Sequence, residues 1–269
     1  MNKILLVGCG HMGFALLSSW IKKTNFTFTV VDPKNYKKLN LKFRKKVIAY
    51  NNLNKINNFK KFDVVVYAIK PQISNIVLKE FRNIQFKKNI LFLTVVAGKK
   101  ISFYRKFLPS NSQIVRVMPN MPVTIELGMS CIYYNKATSK TNRLKAVSLF
   151  KNVGKILILN KEEDIDKVTA ISGSGPGYFF LFINMLEIAA MKLGFNSKTS
   201  RELVTQTALG SILLLIKSGK KSKDLQNNIS IKGGTTEAAI NYFNKNKIKK
   251  IINSALKVAY DRAKELSKN

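Results

Sequence analysis

The stretch Lys3-Ile4-Leu5-Leu6-Val7-Gly8-Cys9-Gly10-His11-Met12-Gly13, running on into Phe14-Ala15-Leu16-Leu17-Ser18-Ser19-Trp20, decides the fold. Residues 3–8 are almost wholly apolar, the composition of a strand covered on both faces. Residues 12–23 then place Leu16, Leu17 and Trp20 on one side at helical spacing. A glycine turn in that setting is built for dinucleotide phosphate. Gly8 permits the tight turn, Gly10 lets backbone approach a pyrophosphate, and Gly13 lets helix and strand pack closely. The helix start adds unpaired N–H groups and a partial positive charge.

Outward from this unit, residues 26–31, 47–50, 63–69, 89–97, 113–118, 129–134 and 155–159 are predicted strands. Short amphipathic stretches such as 73–81 lie between them, with a helix near 139–151. The alternation predicts an α/β fold with a doubly wound, mostly parallel sheet. Past residue 160 the pattern changes. Glu162, Glu163, Asp164 and Asp166 suit a helix N-terminus, and residues 177–193, 198–219, 235–244 and 248–268 are helical in period. The expected organisation is a dinucleotide-binding domain over 1–160 and an all-helical domain over 161–269. The very apolar helical stretches 179–186 and 209–216 are expected to bury surface against a partner subunit.

The chain has 269 residues, 46% of them hydrophobic, which excludes disorder as its main state. No apolar run approaches membrane-spanning length, and no targeting segment is apparent. Cys9 and Cys131 cannot form a disulfide framework or a four-ligand zinc site, and His11 is the single histidine, so no metal site is expected. A reduced, soluble, cytoplasmic protein follows. The net charge is +33, yet 40 of the 47 basic residues are lysines, scattered through every segment. A nucleic-acid binder would cluster its cations and favour arginine. The charge is read as compositional, with no specific nucleic-acid partner, and its potential would draw small anions.

Asp32 ends the second strand, 19 residues after Gly13. An acid there can accept from the adenosine ribose hydroxyls and favours NAD, or it can simply start a turn with Pro33. Lys34, Lys37 and Lys38 follow and would attract a 2′-phosphate, so the choice of cofactor stays open. Further strand ends close with Ala68-Ile69-Lys70-Pro71, with Ala97-Gly98 and with Met118-Pro119-Asn120-Met121-Pro122. In a parallel sheet these ends face the ligand crevice. Asn120 offers an amide either to a ligand or to its own turn. In the second domain, Ser172-Gly173-Ser174-Gly175-Pro176-Gly177 reads as a break in helical sequence. Gly233-Gly234-Thr235-Thr236 at a helix start offers free N–H groups, hydroxyls and the dipole to a carboxylate. The bland alternative makes Thr235 the N-cap, with Glu237 in the first turn.

These segments resemble the pyrroline-5-carboxylate reductase family over essentially the whole chain. The resemblance rests on VGCGHMG at 7–13, AIKPQ at 68–72, VVAG at 95–98, RVMPNMP at 116–122, VTAISGSGPGYFFLF at 168–182 and GGTTEA at 233–238. It implies a Rossmann domain followed by a helical domain that interlocks in a homodimer with a composite active site, rings of dimers occurring in some members. It implies NADPH or NADH as cofactor, with contacts from Val7, Gly8, Cys9, Gly10, His11, Met12 and Gly13, from Asp32, Pro33 and Lys34, and from Asn52. It extends them to Ala68, Ile69, Lys70 and Pro71, to Val96, Ala97 and Gly98, and to Asn120 and Asn228. Glu162, Gly233, Gly234, Thr235 and Thr236 would hold a small anionic substrate, with Thr236 the catalytic candidate beside the ring nitrogen. The chain departs from the family pattern at Ile231-Lys232 (commonly Ser-Pro), Gly177 (commonly alanine) and Met121 (frequently threonine). Rival expectations are a two-domain hydroxy-acid dehydrogenase or related imine reductase, and a basic nucleotide-binding module. The first typically needs a lysine base on a C-terminal helix, and no lysine here stands in a setting that singles it out.

Overall fold

In the computed structural model, which describes residues 2–23, 25–44 and 46–268, eight strands form one sheet. They are β1 (Lys3–Val7), β2 (Thr27–Val31), β3 (Val47–Tyr50), β4 (Val64–Tyr67), β5 (Leu91–Thr94), β6 (Gln113–Met118), β7 (Gly128–Tyr134) and β8 (Gly154–Ile158). Their order across the sheet is β3-β2-β1-β4-β5-β6-β7-β8, so the winding reverses beside β1, where ligands of such sheets bind. All neighbours are parallel except β6 and β7. The link 119–127 is too short to carry a crossover back to a parallel start, so β7 must return antiparallel.

Five helices accompany the sheet: α1 (His11–Lys23), α2 (Tyr36–Lys42), α3 (Ser74–Lys79), α4 (Ile101–Tyr104) and α5 (Lys140–Lys151). The central strands are mainly apolar on both sides because each face has its own core. Ile4, Leu6, Val64 and Val66 point to the side of Trp20, Phe28 and Phe150. Leu5, Val7, Val65 and Tyr67 point to the side of Phe81, Phe92 and Tyr104. Trp20 is fully buried, meets Phe150 edge-on at 5.8 Å, and donates its indole N–H to the Leu149 carbonyl at 2.8 Å. Truncating such a side chain to alanine costs about 3–5 kcal/mol, so α1 and α5 are locked to this face.

The chain divides into two compact units, Met1–Ser174 with Ala259–Asn269, and Gly175–Val258. The first includes α6 (Asp164–Val168) and a π-helical turn, Thr169–Gly173, closed by the Ser174 N–H to the Thr169 carbonyl at 2.8 Å. The second holds α7 (Gly175–Lys192), α8 (Ser197–Ser218), α9 (Ser222–Ile229), α10 (Thr235–Lys245) and the first half of α11 (Ile248–Lys268). The expected break at 172–177 is narrower than its composition suggests. Gly175, Pro176 and Gly177 already belong to α7, since proline costs nothing in a first turn whose N–H groups have no helical partner. Asn196 caps α8 by accepting from the Thr199 N–H at 2.8 Å, and Gly219 ends it in the left-handed conformation, φ +65°. The short α9, which the pattern does not predict, has only two apolar residues, Leu225 and Ile229, set four apart in a polar stretch. Phe179, Phe180, Leu181, Leu209 and Leu214 are all more than half exposed. An apolar surface of that extent marks an interface.

Candidate functional site

The glycine turn is shaped by what surrounds each glycine. Gly8 has φ +87°, and a Cβ there would lie 2.6 Å from the Ile69 side chain and 2.7 Å from the Ala68 carbonyl oxygen. A Cβ on Gly13 would lie 2.6 Å from the Gly8 carbonyl oxygen. A Cβ on Gly10 would meet nothing within 4 Å. Two glycines therefore close the turn against β4 and α1, while the third leaves room for a ligand. Phe14 N–H donates to the Gly10 carbonyl, the first bond of α1, so the N–H groups of the preceding residues have no partner within the helix.

A crevice of about 430 Å³ opens at the carboxyl ends of β1, β2 and β4, within the range of small-molecule sites. It brings together Val7, Gly8, Gly10, Asp32, Pro33, Lys34, Asn52, Ala68, Ile69 and Lys70, ten of the residues expected to touch a cofactor. The open face of Gly10 and the free amides at the start of α1 fit a dinucleotide pyrophosphate.

Other expected contacts are placed differently. The Cys9 thiol is buried in the core, and burial, then the neighbouring Asp32 charge, push it up to about 12. Cys9 spends its backbone inside the protein, donating its N–H to Asp32 and accepting from the Asn35 amide. His11 is exposed at the start of α1, with Met12 behind it. Pro71 begins the turn that leads into α3. The Val96 side chain lies in the core with Tyr67 and Phe92. Ala97 and Gly98 follow β5. Gly98 has φ +71°, and a Cβ on it would lie 2.8 Å from the Leu266 Cβ and from its carbonyl oxygen. That glycine makes room for the end of α11, which is further tied down where the Ser267 hydroxyl donates to Asp166 at 2.6 Å. Asn120 uses both ends of its amide within the chain: its NH₂ donates to the Ser172 carbonyl at 3.1 Å, and its oxygen accepts from Met129 N–H at 2.8 Å. Turn bracing is thus the role its geometry displays.

Glu162 stands in a polar cluster that sequence reasoning did not resolve. Its Oε1 accepts from the buried Arg116 guanidinium and from the Ile101 N–H, each at 2.7 Å. The carboxylate so compensates a charge on β6 and caps α4. Nearby, Tyr104 is hydrogen-bonded to Thr94, and burial holds its phenol above its ordinary range. Arg116 sits inside the quoted motif RVMPNMP, but nothing local distinguishes a buried arginine on a strand from an exposed one.

In the second unit, Gly234 rather than Thr235 is the N-cap of α10, with Thr235 and Thr236 its first two residues. Gly233 is left-handed, φ +77°, and its N–H donates to Glu237 at 2.7 Å. The Thr235 and Thr236 hydroxyls have no partner among the described residues, and the first N–H groups of α10 are free by geometry. The segment offers hydrogen-bond donors around one point. Asn228 is exposed on α9.

No helix among the described residues is long and apolar enough to cross a membrane. Residues 162–266 match the family model described as pyrroline-5-carboxylate reductase dimerisation, and residues 3–97 match that described as NADP oxidoreductase, coenzyme F420-dependent. The chain is 32% identical to the pyrroline-5-carboxylate reductase of Vibrio alginolyticus, over 99% of this chain and 98% of that protein. It is 30% identical to that of Haemophilus influenzae, over 98% and 97%. Among solved structures, the pyrroline carboxylate reductase of Plasmodium falciparum with NADP bound is 28% identical, TM-score 0.87, covering 99% of this chain and 98% of that one. The pyrroline-5-carboxylate reductase of Coxiella burnetii is 30% identical, TM-score 0.89, covering 100% and 99%.

Proposed function

The chain belongs to the pyrroline-5-carboxylate reductase family, and we propose that it reduces 1-pyrroline-5-carboxylate to L-proline with NADPH or NADH, as a cytoplasmic homodimer. When bound, a reduced nicotinamide would supply the hydride for C5 of the cyclic imine and be oxidised, with a proton going to the ring nitrogen. A protonated imine is already electrophilic, so the protein's work is to hold and orient the reactants.

The division of labour follows the donors each region offers. Gly8, Gly10 and Gly13 cradle the pyrophosphate at the start of α1. Lys34 and Asn52 line the adenosine side, and Ala68–Pro71 with Val96–Gly98 the remainder. Gly233, Gly234, Thr235 and Thr236 take the substrate carboxylate, and Thr236 orients the ring nitrogen. Glu162 serves by holding Arg116 and the start of α4. In this reading residues 1–160 are the nucleotide domain and 161–269 the dimerisation and substrate domain. The apolar faces of α7 and α8 are the dimer surface, and the net positive charge favours capture of an anionic substrate.

The observation that carries the reading is the contrast among the three glycines, two walled in and one facing open space. Its test is direct. The purified protein, mixed with 1-pyrroline-5-carboxylate and NADPH or NADH, is expected to oxidise one nicotinamide per proline formed. Absence of turnover with both cofactors would overturn it.

A further inference from the structure

Resting on the reading of the crevice as a dinucleotide site, we infer that Asp32 positions the phosphate loop rather than reading the ribose, and that Lys34 makes the crevice select a 2′-phosphorylated dinucleotide. An acid at the end of the second strand discriminates against a 2′-phosphate by presenting its charge and two free acceptors to the ribose hydroxyls. Asp32 has spent most of that capacity. Its Oδ2 accepts from the Cys9 N–H at 2.7 Å, and its Oδ1 accepts from the N–H groups of Lys34 at 2.9 Å and Asn35 at 2.8 Å. A carboxylate has about four acceptor positions, so one remains, on a residue that is only 8% exposed. The Asn35 amide closes the arrangement by donating to the Cys9 carbonyl at 3.2 Å. The acid is thereby a clasp between the glycine turn after β1 and the turn after β2.

What the crevice presents beyond the clasp is Lys34. It is exposed, it lines the same crevice as Gly10 and Asp32, and its ammonium has no ion pair or hydrogen bond among the described residues. The other charged residues of the lining are Lys70, after β4, and Glu80, after α3. The lining thus carries two lysines and one glutamate outside the clasp, and the turn after β2, which carries Lys34, is where the adenosine ribose of a dinucleotide lies. A phosphate monoester there gains a charge-assisted partner that a hydroxyl does not.

Calorimetric titration with 2′-phospho-ADP-ribose and ADP-ribose, which need no turnover, tests this on the intact protein. The 2′-phosphorylated ligand is expected to bind at least about tenfold more tightly at low salt, the advantage shrinking as salt rises. Lys34→Gln is expected to bring the two affinities close together. Asp32→Asn is expected to weaken both ligands alike, because it loosens the glycine turn that both require. An Asp32→Asn protein that gains affinity for the 2′-phosphorylated ligand while losing ADP-ribose would overturn the clasp. An unchanged affinity ratio in Lys34→Gln, whose exposed site leaves folding intact, would overturn the selectivity. If the unaltered protein bound neither ligand, the reading of the crevice itself would fail, and equal binding of both would sink the selectivity alone.

Discussion

The two glycine loops of this chain, 8–13 and 233–236, share a chemistry and differ in their surroundings. Both open a helix and both expose backbone N–H groups. At the first, Gly8 and Gly13 are walled in by Ile69, Ala68 and each other, and Asp32 clasps the turn from the next strand. At the second, a Cβ on Gly233 would meet nothing within 4 Å, and the one clasp is Glu237, from the loop's own helix. The first loop is therefore formed by the core of its unit. The second is shaped locally and keeps its donors uncommitted. Under the roles proposed for them, a phosphate cradle that holds a large cofactor benefits from rigidity, whereas a carboxylate grip on a small substrate needs mainly free donors.

The largest test of that contrast is Gly8→Ala. Alanine at φ +87° costs about 1–2 kcal/mol in backbone strain, and overpacking against Ile69 and Ala68 adds about 1–3 kcal/mol. A loss of about 2–5 kcal/mol in urea unfolding is expected. Gly10→Ala, with open space before it, is expected to change stability by less than about 0.5 kcal/mol while lowering nucleotide affinity about tenfold or more, as a Cβ intrudes on the ligand. Equal stability losses in the two variants would show that the first loop is not walled in as described.

Next in size is Thr236→Val, which keeps the shape and removes the hydroxyl. Loss of one hydrogen bond to the reacting substrate lowers kcat/KM about tenfold, with nucleotide affinity unaltered. Gly234→Ala is expected instead to raise the KM for the substrate, by crowding the backbone that receives the carboxylate. Wild-type kcat/KM in Thr236→Val would remove that threonine from the reaction.

The two loops also differ in how far the sequence discloses them. The glycine spacing, the strand before it and the helix after it are local, so the tight turn at Gly8, the close packing at Gly13 and the open face of Gly10 are legible. Asp32 is legible in position but not in role. The order Asp32-Pro33-Lys34-Asn35 is a turn signal, since an aspartate readily accepts from backbone two and three residues on, yet its bond to Cys9 depends on strands meeting in space. Asn120 has the same ambiguity, resolved by partners at Ser172 and Met129. The antiparallel β7 is invisible to hydrophobic pattern, which carries no direction, although the short link before it forbids a crossover. The return of α11 to the first unit, through Leu266 at Gly98 and Ser267 at Asp166, has no local trace at all. Helical period sets which residues share a face, not what that face meets.

The smallest effect sharpens the comparison most. Gly233→Ala meets no neighbour within the chain, so only the left-handed backbone penalty applies, partly offset by the lower entropy of the unfolded alanine chain. A loss of about 1 kcal/mol is expected in urea unfolding of the homodimer. A cost approaching that of Gly8→Ala would mean that a second copy packs against Gly233, filling space that a single chain leaves open. Dilution then separates the cases. A penalty that belongs to backbone strain stays constant as protein concentration falls, whereas one that belongs to a neighbouring subunit diminishes with the dimer itself.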